Sequence, residues 1–437
     1  MDKQPSPNDN PAASRVAQPL ARAPLVPEPL LRRHSCWIFG DTRFRAAARF
    51  RQSLWREEQG LPAGLHQPDS NKGLSSITLG SKLQTADGDR GVNFISQAVH
   101  ASVRHSLIMR EEGACVNYER LHRNLLSSEP LNYNLFVPLL FNLDLATAVF
   151  RQILPDFVHQ VTDIRFETSP GRHEVRYLRD GTAFDTAVSV VTPDGESATV
   201  FIEVKYSEGC SGPAATRRPR YDEVSREVAL HHNSDALALR SVQFEQFWRL
   251  HLLAQLAVRT GVTPRAHLLV LSPRLNRRVA IATALYAAEL VDPVGSSPET
   301  VGFTSLSLES FVDALAQAGG GAEASYLRHR YLDLQPVLDL VLEEAGLTER
   351  GPSPAESRQI GAPTLSALAE GSTRTSNSSV EPRRPKLGST LLSAAQSSTA
   401  TANADGPKRP RKAGVSIRTR TQKSASPSPA LGVQEVR

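Results

Sequence analysis

The stretch Gly181 to Tyr206, GTAFDTAVSVVTPDGESATVFIEVKY, constrains the fold of this chain more than any other. Two β-rich runs flank Pro193-Asp194-Gly195. Proline presets φ for a turn and glycine accepts the left-handed conformation, so the segment is an antiparallel hairpin. Counting back from a turn centred on Asp194–Gly195 sets Asp185 opposite Glu203 or Val204. Glu203 and Lys205 lie two apart and project from one face of their strand. If Asp185 pairs with Glu203, all three charged groups share that face, and Ile202, Val204 and Tyr206 point to the apolar side.

Burying charge is costly unless the charges pair or bind a metal. Two carboxylates one cross-strand distance apart suit a hard cation such as Mg²⁺, which keeps several of its waters. An ammonium beside them can orient or deprotonate a water and neutralise charge building on a phosphate. The set suits in-line hydrolysis of a phosphodiester. The plainer reading is a cross-strand ion pair, and lysine usage weighs against it. The chain has eight lysines and 42 arginines, and Lys205 is the only lysine between Lys82 and Lys386. A surface cation in this chain is ordinarily arginine, whereas an amine has a pKa that its site can lower.

The surrounding pattern is helix, several strands, helix, strand, which is a mixed α/β order. Helices are expected over 43–58, 91–110, 131–154 (one long helix, bent at Pro138), 241–259, 279–291 and 308–318. Strands are expected over 161–167, 173–178, 183–191, 198–206, 266–271 and 301–305. Residues 63–90 and 209–220 read as loops. Residues 1–30, with seven prolines, and 351–437, with no Phe, Trp or Tyr, read as disordered. The expected division is a disordered segment 1–30, a mainly helical and loop extension 31–119, a catalytic α/β domain 120–345 and a basic Ser/Pro-rich tail 351–437.

The net charge of +5 belongs to the tail, which carries thirteen Lys/Arg and five Asp/Glu, leaving 37 and 40 for the rest. A basic isoelectric point is therefore weak evidence that the folded part holds nucleic acid. In the tail, Lys408, Arg409, Arg411 and Lys412 are candidates for phosphate contact, set against a plainly solvated tail. Arg217, Arg218 and Arg220, in the loop after Lys205, are candidates for the same role near the active face. The longest apolar stretch, 135–150, is interrupted by Pro138, Asn142 and Asp144, so no membrane span is expected. No secretory signal is visible, and three scattered cysteines form neither a disulfide framework nor a zinc site, which points to the cytoplasm. No G-x-x-x-x-G-K-[ST] occurs, so no nucleotide cofactor is expected. His231 and His232 lack partners at zinc-like spacing and read as surface or loop residues.

Asp185, seventeen intervening residues, then Glu203-Val204-Lys205, on adjacent strands after a helix, resembles the PD-(D/E)XK nuclease superfamily, the restriction-endonuclease-like fold. Ser127-Ser128-Glu129 leading into a helix, and the helix at 243–248 followed by the strand at 267–271, extend the likeness. The stretch FRQSLWREEQGLPAG (Phe50–Gly64) resembles one that precedes the nuclease core in a bacterial group of uncharacterised restriction-endonuclease-like proteins. The resemblance implies a mixed central sheet flanked by helices, with a helical N-terminal extension, in a metal-dependent endonuclease acting on DNA. It implies that Asp185 and Glu203 hold Mg²⁺ or Mn²⁺, that the Val204 carbonyl contributes, and that Lys205 positions the attacking water. Glu129 stands near a further ligand position of some members, or caps its helix. Gln243 resembles a glutamine that follows the core in some relatives, although Phe247 replaces the tyrosine of their Q-x-x-x-Y. Phe184 replaces the proline before the aspartate. RNA as substrate, a non-catalytic nucleic-acid-binding or interaction protein on the same fold, and a homodimer that cuts both strands all remain open.

Overall fold

The β-rich runs on either side of the Pro193-Asp194-Gly195 turn form the hairpin at the centre of a five-stranded sheet, as a computed structural model of the chain shows. The structure describes residues 19–66, 76–114, 116–210 and 218–347. The N-terminal part holds helices α1 (Glu28–Arg33) and α2 (Arg43–Glu58), a hairpin of β1 (Ala63–His66) and β2 (Ile77–Leu83), and helices α3 (Thr85–Asp89), α4 (Gln97–Ile108) and α5 (Tyr118–Arg123). Next come α6 (Ser128–Leu140), α7 (Leu143–Ile153), β3 (Gln160–Thr168), β4 (Phe184–Val191) and β5 (Ser197–Val204). They are followed by α8 (Pro219–Val228), α9 (Glu245–Arg259), β6 (Arg265–Ser272), α10 (Arg277–Ala288) and β7 (Gly302–Ser307). Helices α11 (Leu308–Gln317), α12 (Gly321–Leu327) and α13 (Gln335–Glu344) close the described chain, with a π-helical turn at Arg328–Leu332.

The sheet order is β3-β4-β5-β6-β7. β3, β4 and β5 pair antiparallel, while β6 and β7 add in parallel, so the sheet is mixed. Parallel β5 and β6 need a crossover between them, and α8 and α9 supply it. Alternate residues of β5 serve two cores. Val200, Ile202 and Val204 pack with α6, α7, α11 and α12. Phe201 joins the layer formed by α8, α9 and α10. With helices on both faces, the central strand is buried almost along its whole length, which explains its near-continuous apolar run.

Several expectations need correction. The helix expected over 131–154 is two helices meeting at 114°. Pro138 lies inside α6, and the break falls at Asn142, whose side chain accepts the Leu145 N–H at 3.0 Å and so starts α7. The strand expected at 173–178 is a run of turns. His173 and Arg179 take left-handed φ, and Asp180 accepts from the Thr182 amide and hydroxyl, so the segment folds back on itself. Residues 63–90 hold the β1–β2 hairpin, and residues 219–228 are helical. Within 1–30, residues 19–30 are ordered, with Ala23, Val26 and Leu30 buried beside Phe50 and Val337. No single helix among the described residues is long and apolar enough to cross a membrane.

The N-terminal part is locked to the end of the described chain under β5. Gln52 donates to the Tyr206 hydroxyl at 3.0 Å and to the Arg330 carbonyl at 2.8 Å. Arg330 is fully buried. Its guanidinium lies 4.0 Å from the Trp55 ring centre and donates to the Asn93 carbonyl at 2.9 Å. A buried guanidinium is tolerated only when its donors are met, and here residues from both ends of the fold meet them.

Candidate active site

The β4–β5 register pairs Thr186 with Ile202, and one further step along both strands sets Asp185 opposite Glu203. Asp185 Oδ2 accepts the Val204 N–H at 2.8 Å. Asn132, one turn into α6, fastens this end of the hairpin by donating to the Asp185 carbonyl at 2.9 Å and accepting from the Thr186 hydroxyl at 2.8 Å. Lys205 Nζ donates to Glu203 Oε1 at 2.6 Å. Gln246, on α9, closes a triangle with them: its amide donates to Glu203 Oε1 and its carbonyl accepts from Lys205 Nζ, both at 2.7 Å. Glu203 is 4% exposed and Lys205 7%, so this pair is held away from bulk water at the floor of a cleft of about 450 Å³.

Burial pushes the Asp185 carboxyl well above its ordinary range, and the charges of Glu203 and Glu167 add to the effect against Lys205 and the Val204 amide. Burial alone would depress the Lys205 ammonium, yet Glu203 and Asp185 outweigh it and raise its pKa. Beside two carboxylates, Lys205 is held as a charged donor. Val204 lies between the two functional residues with its amide on Asp185. The proposed role of its carbonyl rests on the resemblance alone.

Glu129 lines the same cleft. Ser127 is the cap of α6, its hydroxyl accepting the Glu129 N–H at 3.2 Å, which leaves the Glu129 carboxylate free of that task. Glu129 Oε1 sits 3.4 Å from Arg120 Nε, while Oε2 is buried without a hydrogen-bond partner. Burial raises this carboxyl to about 7 in spite of Arg120.

Two cleft residues are not legible in the sequence. Glu167 reads there as the tail of a strand. In the fold it takes φ 50° between the Phe166–Thr186 and Thr168–Phe184 pairs, at the level of Asp185, and burial together with Glu129 and Glu203 raises it to about 8. Gln246 is masked by Gln243. Helix α9 begins at Glu245, not Ser241, so Gln243 is an exposed residue before the helix and Phe247 is buried in the core. The available signal is the i, i+3, i+4 set Gln246, Arg249 and Leu250 on one helical face. Glu208, also in the cleft, accepts the Ser128 amide at 2.8 Å and the Tyr206 amide at 2.9 Å. Burial would raise its pKa, but Arg120 and the Ser128 amide prevail and lower it, so it is an ionised clasp between β5 and α6.

The other candidates lie apart from this centre. Arg218 precedes α8 and donates to the Arg179 carbonyl at the edge of an adjoining cleft. Arg220 is committed to Glu227 at 2.8 Å, to Glu223 and to the Tyr177 carbonyl, and does not line this cleft. Arg217, Lys408, Arg409, Arg411 and Lys412 lie outside the described residues. His231 is buried, not a surface residue: it meets the Tyr286 hydroxyl at 3.2 Å, and burial lowers it to about 3.

Among the described residues, no group of three or more His, Cys, Asp or Glu side chains is placed to hold a metal ion. The cleft instead offers carboxylate oxygens, among them the unpartnered Glu129 Oε2. Such a donor set fits a hard cation that completes its shell with water, and gives no soft or imidazole set for zinc.

The comparison with curated proteins returned no match, and neither did the comparison with solved structures. A family model described as the PD-(D/E)XK nuclease superfamily matches residues 40–333, most of the described chain, from α2 through the π-helical turn. With its mixed sheet and its acids and lysine on adjacent strands, the chain belongs to the PD-(D/E)XK nuclease superfamily.

Proposed function

We propose that the chain is a divalent-metal-dependent endonuclease that hydrolyses phosphodiester bonds in DNA, acting in the cytoplasm. Asp185 and Glu203 would hold Mg²⁺ or Mn²⁺, with Glu129 as a further oxygen donor. The observation that carries this reading is the in-register Asp185–Glu203 pair with a buried, charged Lys205 2.6 Å from Glu203, at the floor of an open cleft.

When bound, the cation supplies positive charge to the phosphate and acidifies a water. The chain's own residues do the rest. Asp185, fixed by the Val204 amide, and Glu203, fixed by Gln246, present oxygens in a set geometry. Lys205 holds its proton at Nζ, donates to the attacking water and offsets charge that develops on the phosphate. Gln246, bonded to both, fixes the Lys205–Glu203 ion pair in place.

The test is Mn²⁺ and Mg²⁺ binding by calorimetry, on the wild type and on Asp185→Ala/Glu203→Ala, with and without non-cleavable DNA. Binding that disappears in the double variant supports the site. No uptake by the wild type, even with DNA present, defeats it. Cleavage assays on DNA and RNA then decide the substrate, and Lys205→Ala should lower the rate by roughly 10²–10³.

A further inference from the structure

The catalytic cleft is a poor place for a polyanion to dwell. Carboxylates outnumber cations along its walls, and the substrate of the proposed nuclease carries a negative charge at every phosphate. Something beside the cleft must hold the strand. A second cleft, about 340 Å³ in volume, opens next to it and shares Glu167, Gln246 and Arg249 with it.

The charges of this second cleft are unequal in their freedom. Asp180 is consumed by the Thr182 amide and hydroxyl and by the Tyr221 hydroxyl. Arg172 is consumed by the Gly181 and Glu167 carbonyls and by Glu111. These bonds build a rigid backbone floor. Arg218 gives one donor to the Arg179 carbonyl; Arg249 has Glu245 near it and one hydrogen bond to the Tyr221 hydroxyl, but keeps its Nε buried with no hydrogen-bond partner. A buried N–H left unpaired has lost its water without replacement, so an unmet guanidinium donor on a cleft wall points to a ligand that meets it. Guanidinium is the group that suits phosphate, since its planar fork can give two parallel bonds to phosphate oxygens. Arg249 stands three residues after Gln246 on α9, so one helical face carries both the clamp on Glu203–Lys205 and this cation.

We propose that the second cleft seats a backbone phosphate of the bound nucleic-acid strand, next to the phosphate being cut, and that Arg249 grips it with Arg218 at the rim. The inference rests on the nuclease reading and names how that site holds its substrate. Arg249 is a positioning residue: it aligns the strand over Asp185, Glu203 and Lys205.

The experiment measures affinity for labelled single-stranded and duplex DNA in EDTA over a range of salt concentrations, for the full chain. Removing one phosphate-binding cation should flatten the slope of log K against log salt by about 0.9 on duplex or about 0.7 on a single strand. Arg249→Gln should flatten it by that amount, Arg249→Lys should restore most of the slope, and Arg218→Gln should act in the same direction. A packing defect would lower the melting temperature without changing the slope. If Arg249→Gln does not unfold cooperatively, Arg218→Gln carries the test. Wild-type binding with unchanged slopes in the glutamine variants overturns the phosphate seat and leaves the nuclease reading standing. DNA binding with the expected slopes but no cleavage in any divalent metal does the opposite. A wild type that binds no nucleic acid at all removes both.

Discussion

Glu129 and Glu167 share a cleft with Asp185 and Glu203; burial and the charge of Glu208 raise the Glu129 carboxyl to about 7 against Arg120, and burial with the charges of Glu129 and Glu203 raises Glu167 to about 8. Both folded-state values lie above that of an unfolded glutamate, so the stability these groups contribute is full below about pH 4.3 and is lost as pH rises through the folded values. Buried His231, His251 and His267, depressed to about 3, 4 and 4, act in the opposite sense. Their unfolded counterparts are half titrated at about pH 6.5 and nearly finished by about 7.5, so the range from about 7.5 to 8.5 isolates the carboxylates. The metal-free protein should lose melting temperature across that range, and Glu129→Gln with Glu167→Gln should flatten the decline. Added Mg²⁺ should flatten it as well, because a cation relieves the same repulsion. A level profile in the metal-free wild type would show that the cleft does not raise these carboxyls. Lys205 belongs to this balance too. Its loss leaves Glu203 buried with Gln246 alone, so Lys205→Ala should lower the melting temperature, as an unpaired buried charge does.

At the scale of elements, the hairpin is legible in the sequence because its information is local. A Pro-Asp-Gly turn fixes where the strands reverse, the period of two fixes which residues share a face, and Asp185, Glu203 and Lys205 follow from counting. The break between α6 and α7 is less legible. Both helices are apolar enough to read as one, and the signal that divides them is a single capping side chain at Asn142, while Pro138 is absorbed within a helix. Asn142→Ala should cost about 1 kcal/mol of stability by losing that cap and leave metal binding unchanged, as denaturant titration beside calorimetry would register. A cost near zero would mean that packing of Val149 and Phe150 alone sets the corner. The segment 173–178 alternates like a strand, yet the fold uses Tyr177 and Leu178 as a buried lid over the second core. Nothing in its local pattern carries that, because the left-handed turns at His173 and Arg179 are set by contacts made elsewhere. Glu167 and Gln246 are hidden for a related reason: one depends on an irregular strand end, the other on where a helix starts.

Over the whole molecule, the division at residue 120 expected from sequence separates groups that depend on one another. Arg45, on α2, lines the cleft of Asp185 and Glu203, and Arg56 on the same helix donates to the Gly80 carbonyl of β2. Gln52 and Trp55 meet Arg330 and Tyr206. A fragment of residues 120–345 would bury Arg330 without the Asn93 carbonyl and Trp55 ring that receive it, and Tyr206 without Gln52. An uncompensated buried charge destabilises by about 3–5 kcal/mol, a large part of an ordinary domain's total. The fragment should therefore show no cooperative unfolding transition, whereas residues 19–347 should show one. A well-folded 120–345 fragment would mean that the N-terminal helices are an accessory.

The bonds from Gln52 to Tyr206 and to Arg330 join residues 154 and 278 positions apart. During synthesis the chain emerges from its N-terminus, and closing long loops is the slow part of assembling such a topology. Helix α2 is made early and waits with its polar face unmet, and the β4–β5 hairpin forms beside it while the buried cation that will tie the two together is still untranslated. Shape comes last, after residue 330 has left the ribosome. The acids and the lysine are thus all present well before they have a cleft to stand in, and that cleft is assembled only once nearly all of the described chain exists.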